Sequence, residues 1–476
     1  MEVTRYLIRN ALIRWDVIAL SSILLLSAAC ERTPLQPVSE DLIPEIHAAQ
    51  LWDNPNNVLS ALMSVRTSNA QLASVEILDD SLWESTTPFL TVTNDSCVIP
   101  VLELLAQKTY TLRVVAISST GIRALGPTIT YTTRALLTDI PSLRVTFSQS
   151  PSVQYVLMGL NSPSAGKSYA VIVNKSGTIV WYKEFSGSVF DFQKHFDGSY
   201  TSWSSAGPNS PFQKLDILGN VIELYYASNG LQTGLHEFRV VGSDYALFGV
   251  EYRTMDLSML GGLSNAQVRG LVVEYHRSGQ ATFFWNTFDH FSVTDAAPDI
   301  PLTTASVNPW HGNAIDMDSE GNLIVSFRNS DEIAKIDSRT GSIIWRLGGE
   351  NNEFSFLNDP LNGFSHQHGV RRLFNGNILM FDNGNLHIPQ ESRAVEFRID
   401  EATKTAEMVW EYRADPPLFA NLQGSVQRLS NGNTLICFGT AQRIVEVDAI
   451  GTKLWELAIE EPGRNCYRAF SVSSLY

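Results

Sequence analysis

Apolar and polar residues alternate in short runs along most of the chain, and the runs are broken by Asn, Ser, Gly and Pro. A period of two bounded by turn residues predicts strands, and no helical period of comparable length competes with it. From Ile43 to Arg134 the runs Leu59 to Val65, Ala73 to Leu78 and Tyr110 to Ile117 have the pattern of a small β-sandwich.

From about Leu143 a different unit recurs, in which an apolar strand enters a turn and returns as a strand carrying an aromatic residue. Six are found: Val171 to Trp181, Lys214 to Tyr225, Val272 to Trp285, Ile333 to Trp345, Val395 to Trp410 and Ile444 to Trp455. A second hairpin precedes each of the last five, turning at Gly198, Gly242, Gly321, Gly376 and Gly432, and Tyr155 to Leu160 fits that role ahead of the first. Six units of two hairpins predict six four-stranded sheets, the repeat signature of a β-propeller. The fold class expected is therefore all-β, a six-bladed propeller over 138–476 preceded by a sandwich over 43–137. The recurring tryptophans are read as packing between blades.

The amino terminus reads as an export signal over residues 1–29. Arg5, Arg9 and Arg14 give a positive region, and Val17 to Leu26 an apolar run too short to span a bilayer. Leu26-Ser27-Ala28-Ala29-Cys30 looks like a lipoprotein signal-peptidase site, so Cys30 is expected to carry lipid and residues 30–42, with Pro34 and Pro37, to form a tether. The expected location is the cell envelope, with the membrane as a partner through that anchor. A net charge of −15 argues against nucleic acid as a partner, though an acidic protein can still hold a local cationic pocket. Cys97, Cys437 and Cys466 remain, an odd number; Cys437 and Cys466 either pair or stay buried thiols.

Propeller topology brings the start of each innermost strand and the end of the next to one face. In the fourth unit this places His311 and Asn313 at the start of a hairpin and Arg328 at its end; in the fifth, His366 or His368 at the start and Asp382 and Asn383 at the end. His236 occupies the matching start in the third. Imidazole can act as nucleophile and as acid or base near neutral pH, and arginine offers a fork of donors to sulfate or phosphate oxygens. The set suits transfer of an oxyanion group, with Asn313 donating to another oxygen. Three histidines could also hold zinc, but Arg328 would repel the ion and no carboxylate ligand is evident, so neither metal nor cofactor is expected. His195, His276, His290 and His387 are read as structural.

Two resemblances add to this. Lys108 to Ala116 resembles the late strand of fibronectin type III domains, with Tyr110 as the tyrosine whose hydroxyl bonds back to the preceding corner. Trp310-His-Gly-Asn, Ser326-Phe-Arg328, Gln367-His368, Phe381-Asp-Asn-Gly384 and the run Ser392 to Glu401 resemble the bacterial aryl-sulfate sulfotransferases. That resemblance implies a six-bladed propeller that moves sulfate from an aryl sulfate donor to a phenolic acceptor without a nucleotide donor. It implies His368 as the sulfated histidine, ahead of its rival His366, with His311, Asn313, Arg328 and His236 around it. Gly369 departs from the threonine many members carry there. A non-catalytic glycan- or ligand-binding propeller, and a hydrolase or lyase on the same scaffold, are the alternatives.

Overall fold

The computed structural model describes residues 43–78, 85–162, 166–205, 207 and 209–476. The leader, Cys30 and the tether lie outside the described residues. Among the described residues there is no α-helix, and no helix is long and apolar enough to cross a membrane.

Strand follows alternation closely. In Ala61–Ser68, Ala61, Met63, Val65 and Thr67 are buried while the residues between them are not, as a pleated strand with one covered face requires. This strand sits between Glu45–Asp53 and Ser96–Val101 in a three-stranded sheet. A second sheet holds Leu72–Leu78, Thr109–Ile117 and Arg123–Thr132 with two short strands, and Met63, Val65, Val75, Ile99, Leu112 and Val114 pack between the two. The Tyr110 hydroxyl accepts from the Leu105 amide at 2.7 Å, the back-bond its position suggested.

From residue 143 on there are six further sheets of four or five strands, antiparallel except for the short Ser306–Val307 and Ser355–Leu357, which pair in parallel. Their inner strands are Asn465–Val472, Val189–Lys194, Gln232–Val241, Gly312–Met317, His368–Arg372 and Ser425–Arg428. Each contacts the next in that order, and Ser425–Arg428 contacts Asn465–Val472. The first sheet differs from expectation. Tyr155–Asn161 is its second strand, and its inner strand is the carboxy-terminal Asn465–Val472. Leu143–Ser148 in turn adds a fifth strand to the outer edge of the sixth sheet. Both added strands thereby cover edges whose backbone groups would otherwise lack partners.

The tryptophans join neighbouring sheets. Trp181 donates its indole N–H to Ile217 O, Trp285 to Gly341 O and Trp455 to Lys175 O, each carbonyl lying by the outer turn of the next sheet. The last of these runs from the sixth sheet to the first. All three indoles are buried, so each adds a large apolar area and satisfies its one polar group. At the Gly177 turn φ is +80° and an added Cβ would lie 2.9 Å from Val145, so only glycine fits there.

Where the inner strands meet, charge replaces oil. Arg468 reaches Asp191 at 2.6 Å and Glu237 at 3.0 Å, and Arg371 holds both oxygens of Glu237 at 2.9 and 3.1 Å. Burial opposes ionisation of Glu237, but the two guanidinium groups hold its carboxyl well below the usual range. Residues from four inner strands thus form one ion network. Removing one partner strands the rest: Arg468→Ala is expected to destabilise the fold by about 3–5 kcal/mol, read as a lower urea midpoint with an unchanged slope.

Candidate functional site

Apart from His236, which was expected at a strand start and lies within its strand, the site residues stand at or next to strand ends, and local backbone geometry puts them there. His311 sits at φ +49° just before Gly312–Met317, and its carbonyl accepts from the Arg328 amide at 3.0 Å, so the two ends of one hairpin are held together. Arg328 itself opens a single 3₁₀ turn after Leu323–Phe327. His368 begins its strand, and Asn383 directly follows Ile378–Asp382. His236 falls inside Gln232–Val241, where the register with the next strand shifts. After His368 the chain turns through Gly369 at φ +60°, with a built Cβ 3.1 Å from Ser425 Cα; a threonine at this position would be strained.

His368 is buried, and its ring is oriented unambiguously. Its Nδ1 lies 2.7 Å from Asn383 Oδ1 and 3.0 Å from His366 O, both acceptors, so Nδ1 carries the proton. Asn383 cannot be turned the other way, because its amide nitrogen donates to Ala420 O at 2.6 Å and Gln423 O at 2.8 Å. The lone pair therefore sits on Nε2. Burial, and then the Arg328 charge, push the His368 pKa down to about 3. The ring is an uncharged base with one nitrogen bare at neutral pH.

Next to it His311 and His236 form a pair, Nε2 to Nε2 at 3.1 Å. Asn308 donates its amide to His311 Nδ1 at 2.7 Å, so His311 carries its proton on Nε2 and passes it toward His236. Both rings are pushed well below the ordinary histidine range, first by burial. Arg328 is buried, gives Nη1 to Asn329 Oδ1 at 2.7 Å and Nη2 to Asn421 O at 3.1 Å, and has Nε without a partner. It makes no ion pair among the described residues. Burial lowers its pKa to about 10, against the pull of Asp331 and Asp299. A buried guanidinium with unused donors is a ready anion site.

Asn313 is fully buried and gives one amide hydrogen to Gln367 O at 2.7 Å, fixing the residue that precedes His368. Only its second amide hydrogen remains for a ligand. His366 lies in the same cluster with both ring nitrogens against carboxylates, Nδ1 to Asp331 at 2.9 Å and Nε2 to Asp299 at 3.1 Å. Neither nitrogen is free to attack, which separates it from His368. His387 is tied to Asp382 at 2.9 Å, His276 to Glu274 at 2.9 Å and His195 to Thr201 at 2.6 Å, while His290 stacks on Trp285. The cysteines of the described residues are free thiols.

Several supporting residues escaped the sequence reading. Tyr467 donates its hydroxyl to His236 O at 3.0 Å, and Arg468 donates to Asn313 O at 2.6 Å. The last strand thus holds the backbone of two site residues that are more than 150 positions away. Its signal was present but unplaced, an apolar run with Tyr467 and Arg468 left over after the sixth unit. Asn308, Asp331 and Asn421 lie in turns with no periodicity to expose them.

The depressed histidines predict an acid response. A neutral ring in the fold that binds a proton near 6.5 when unfolded gives the unfolded chain more bound protons as pH falls below that value. The stability contributed by these rings is present above pH 6.5 and is lost as pH falls through their folded values, about 3 for His368 and well below the ordinary histidine range for His236 and His311. Melting temperature should fall steeply across that window, and a triple His→Gln variant at these positions should flatten the fall.

Uncharged imidazoles beside an unpaired buried guanidinium thus gather donors at one end of an all-β scaffold. The chain belongs to the arylsulfotransferase (ASST) family, whose model matches residues 143–463. Membership supports a sulfotransferase enzyme acting on aryl sulfates. No curated protein matches the chain. Among solved structures it is similar to a Bacteroides caccae protein of unknown function at 15% identity, over 68% of this chain and 100% of that one, with a TM-score of 0.42. It is also similar to a catalytically inactive virginiamycin B lyase from Staphylococcus aureus with quinupristin, at 12% identity over 67% and 89%, TM-score 0.35.

Proposed function

We propose that this chain transfers a sulfuryl group from an aryl sulfate to a phenol through a sulfohistidine on His368, without a nucleotide sulfate donor. The observation that carries the reading is the His368 ring itself, protonated on Nδ1 against Asn383, bare on Nε2 and adjacent to unpaired Arg328. Nε2 attacks sulfur in line, the N–S bond forms as the aryl O–S bond breaks, and the bonding pair leaves with the phenolate oxygen. Arg328, with the second amide hydrogen of Asn313, holds sulfuryl oxygens, where preorganised donors act most strongly. The His236–His311 pair faces the departing oxygen by N–H donation. In the return step the phenol oxygen attacks sulfur as the N–S bond breaks and its electron pair returns to His368 Nε2, while the pair relays the phenol proton to the departed phenolate or to solvent and ends uncharged.

The scaffold in this reading is a closed six-bladed propeller behind a fibronectin type III-like domain, supported by the contacts among the six inner strands and by the Tyr110 back-bond. Export and lipid anchoring at Cys30 place the enzyme in the cell envelope, supported by the leader pattern. Nitrophenol release from 4-nitrophenyl sulfate tests the activity. Release that depends on added phenol and resists EDTA is expected, with the donor-only enzyme gaining the mass of one sulfuryl group. Release that ignores phenol points to a hydrolase, and no release across several aryl sulfates points to a binding protein.

A further inference from the structure

Arg328 accounts for one negative charge, yet the site holds a second unpaired cation. Arg269 lies on Ala266–Arg277, the third strand of its sheet, opposite Tyr252. That strand and its neighbour Asp244–Met255 have 12 residues each, and Val250 already pairs with Gln232, the first residue of the inner strand. Residues 251–255 and 266–270 therefore run past the sheet at the site end. Gln267 and Val268 pair in parallel with Ser306 and Val307, the stretch that leads into Asn308 and His311. This pairing brings the strand of Arg269 alongside the segment that leads into His311.

Arg269 makes no ion pair or hydrogen bond among the described residues, and its Nε is buried without a partner. Burial lowers its own pKa. Its charge, with that of Arg328, opposes protonation of His311, and it also bears on His236. The cations bearing on His368 are instead Arg328 and Arg468. The pairing with Ser306 and Val307 thus puts Arg269 on the side of the His311–His236 pair, which the proposed mechanism sets against the departing and incoming phenol oxygens. A sulfate monoester carries one charge at neutral pH, which Arg328 meets. Arg269 is half-buried with its Nε buried and unpartnered, and a second anionic group on the ring would supply the counter-charge it lacks.

We propose that Arg269 is a specificity residue that binds an anionic substituent, a carboxylate or its equivalent, on the aromatic ring of the substrate. The proposal rests on the sulfotransfer reading for the identity of the ring, though the subsite itself follows from the unpaired cation. The full chain and its Arg269→Gln and Arg269→Lys variants are compared with 4-nitrophenyl sulfate as donor and either phenol or each hydroxybenzoate isomer as acceptor. Loss of a charge-assisted bond is worth about 10- to 100-fold. For at least one isomer, Arg269→Gln is expected to lower kcat/KM at least about tenfold more than it does for phenol, with Arg269→Lys restoring part of the difference. Equal losses for phenol and every isomer, or no loss, overturn the proposal. Calorimetric titration with the same hydroxybenzoates separates the two readings. If the wild-type chain transfers nothing but binds an isomer more than about tenfold tighter than Arg269→Gln, the sulfotransfer reading fails and the subsite stands. If binding does not differ, the subsite is wrong whatever the turnover.

Discussion

His368→Asn should lower phenol-dependent nitrophenol release by a factor on the order of 10⁴ or more, the scale seen when a covalent nucleophile is removed. The donor-only enzyme should no longer gain a sulfuryl group. The fold should survive, because His368 opens a strand at the site end and the ladder beyond it, Arg371 to Leu379 and Arg372 to Ile378, does not involve its side chain. His366→Asn is the informative control. Its two nitrogens are held by Asp331 and Asp299, so this change should act through positioning: turnover falls less, and the sulfuryl mass gain persists. Full activity in His368→Asn with loss of the mass gain in His366→Asn would falsify the assignment.

Arg328→Gln should cost about 10²–10³ in kcat/KM, the usual penalty for deleting an oxyanion donor. Lysine should rescue it poorly, since it lacks the planar fork. Two further readouts separate a ligand-binding arginine from a structural one. Arg328 is the leading charge that depresses His368, so its removal raises the His368 pKa from about 3 and moves the acid limb of kcat/KM to higher pH. Arg328 also has no ion-pair partner among the described residues and keeps Nε unsatisfied, so its replacement by a neutral amide should leave melting temperature no lower than wild type. A drop in stability without a shift of the acid limb would make it a structural residue.

The strands and the cluster were legible for different reasons. Alternation reports burial of one face, and in Ala61–Ser68 the sequence period and the burial period coincide. The unit around Gly341 was legible because a left-handed turn selects glycine, and the following Trp345 packs with Val370, Ile378 and Val395 of the next sheet. His236, His311, Arg328 and His368 could be gathered because they hold equivalent places in a repeat, and equivalent places in adjacent sheets are close in space. His366 and His368 could not be separated that way, since residues two apart in a strand share a face. What divides them is the company each keeps, two carboxylates for one and a fixed asparagine oxygen for the other. Likewise Asn313 read as a donor to substrate, and only the fold showed one of its hydrogens committed to Gln367 O.

By itself the sequence determined which segments are strands, where the hairpins turn and which polar residues stand at strand ends. These are local properties, set by side-chain alternation and by the few residues that tolerate a turn. The tertiary structure decided which distant strand completes the first sheet, which carboxylates reach Arg468 and Arg371, and which ring nitrogen of His368 is left bare. It also decided that Arg269, unremarkable in the chain, stands unpaired on a strand alongside the segment that leads into His311. Each of these depends on contacts between residues far apart in sequence, and burial makes an unpaired charge costly and a single hydrogen bond decisive only once those contacts have excluded water.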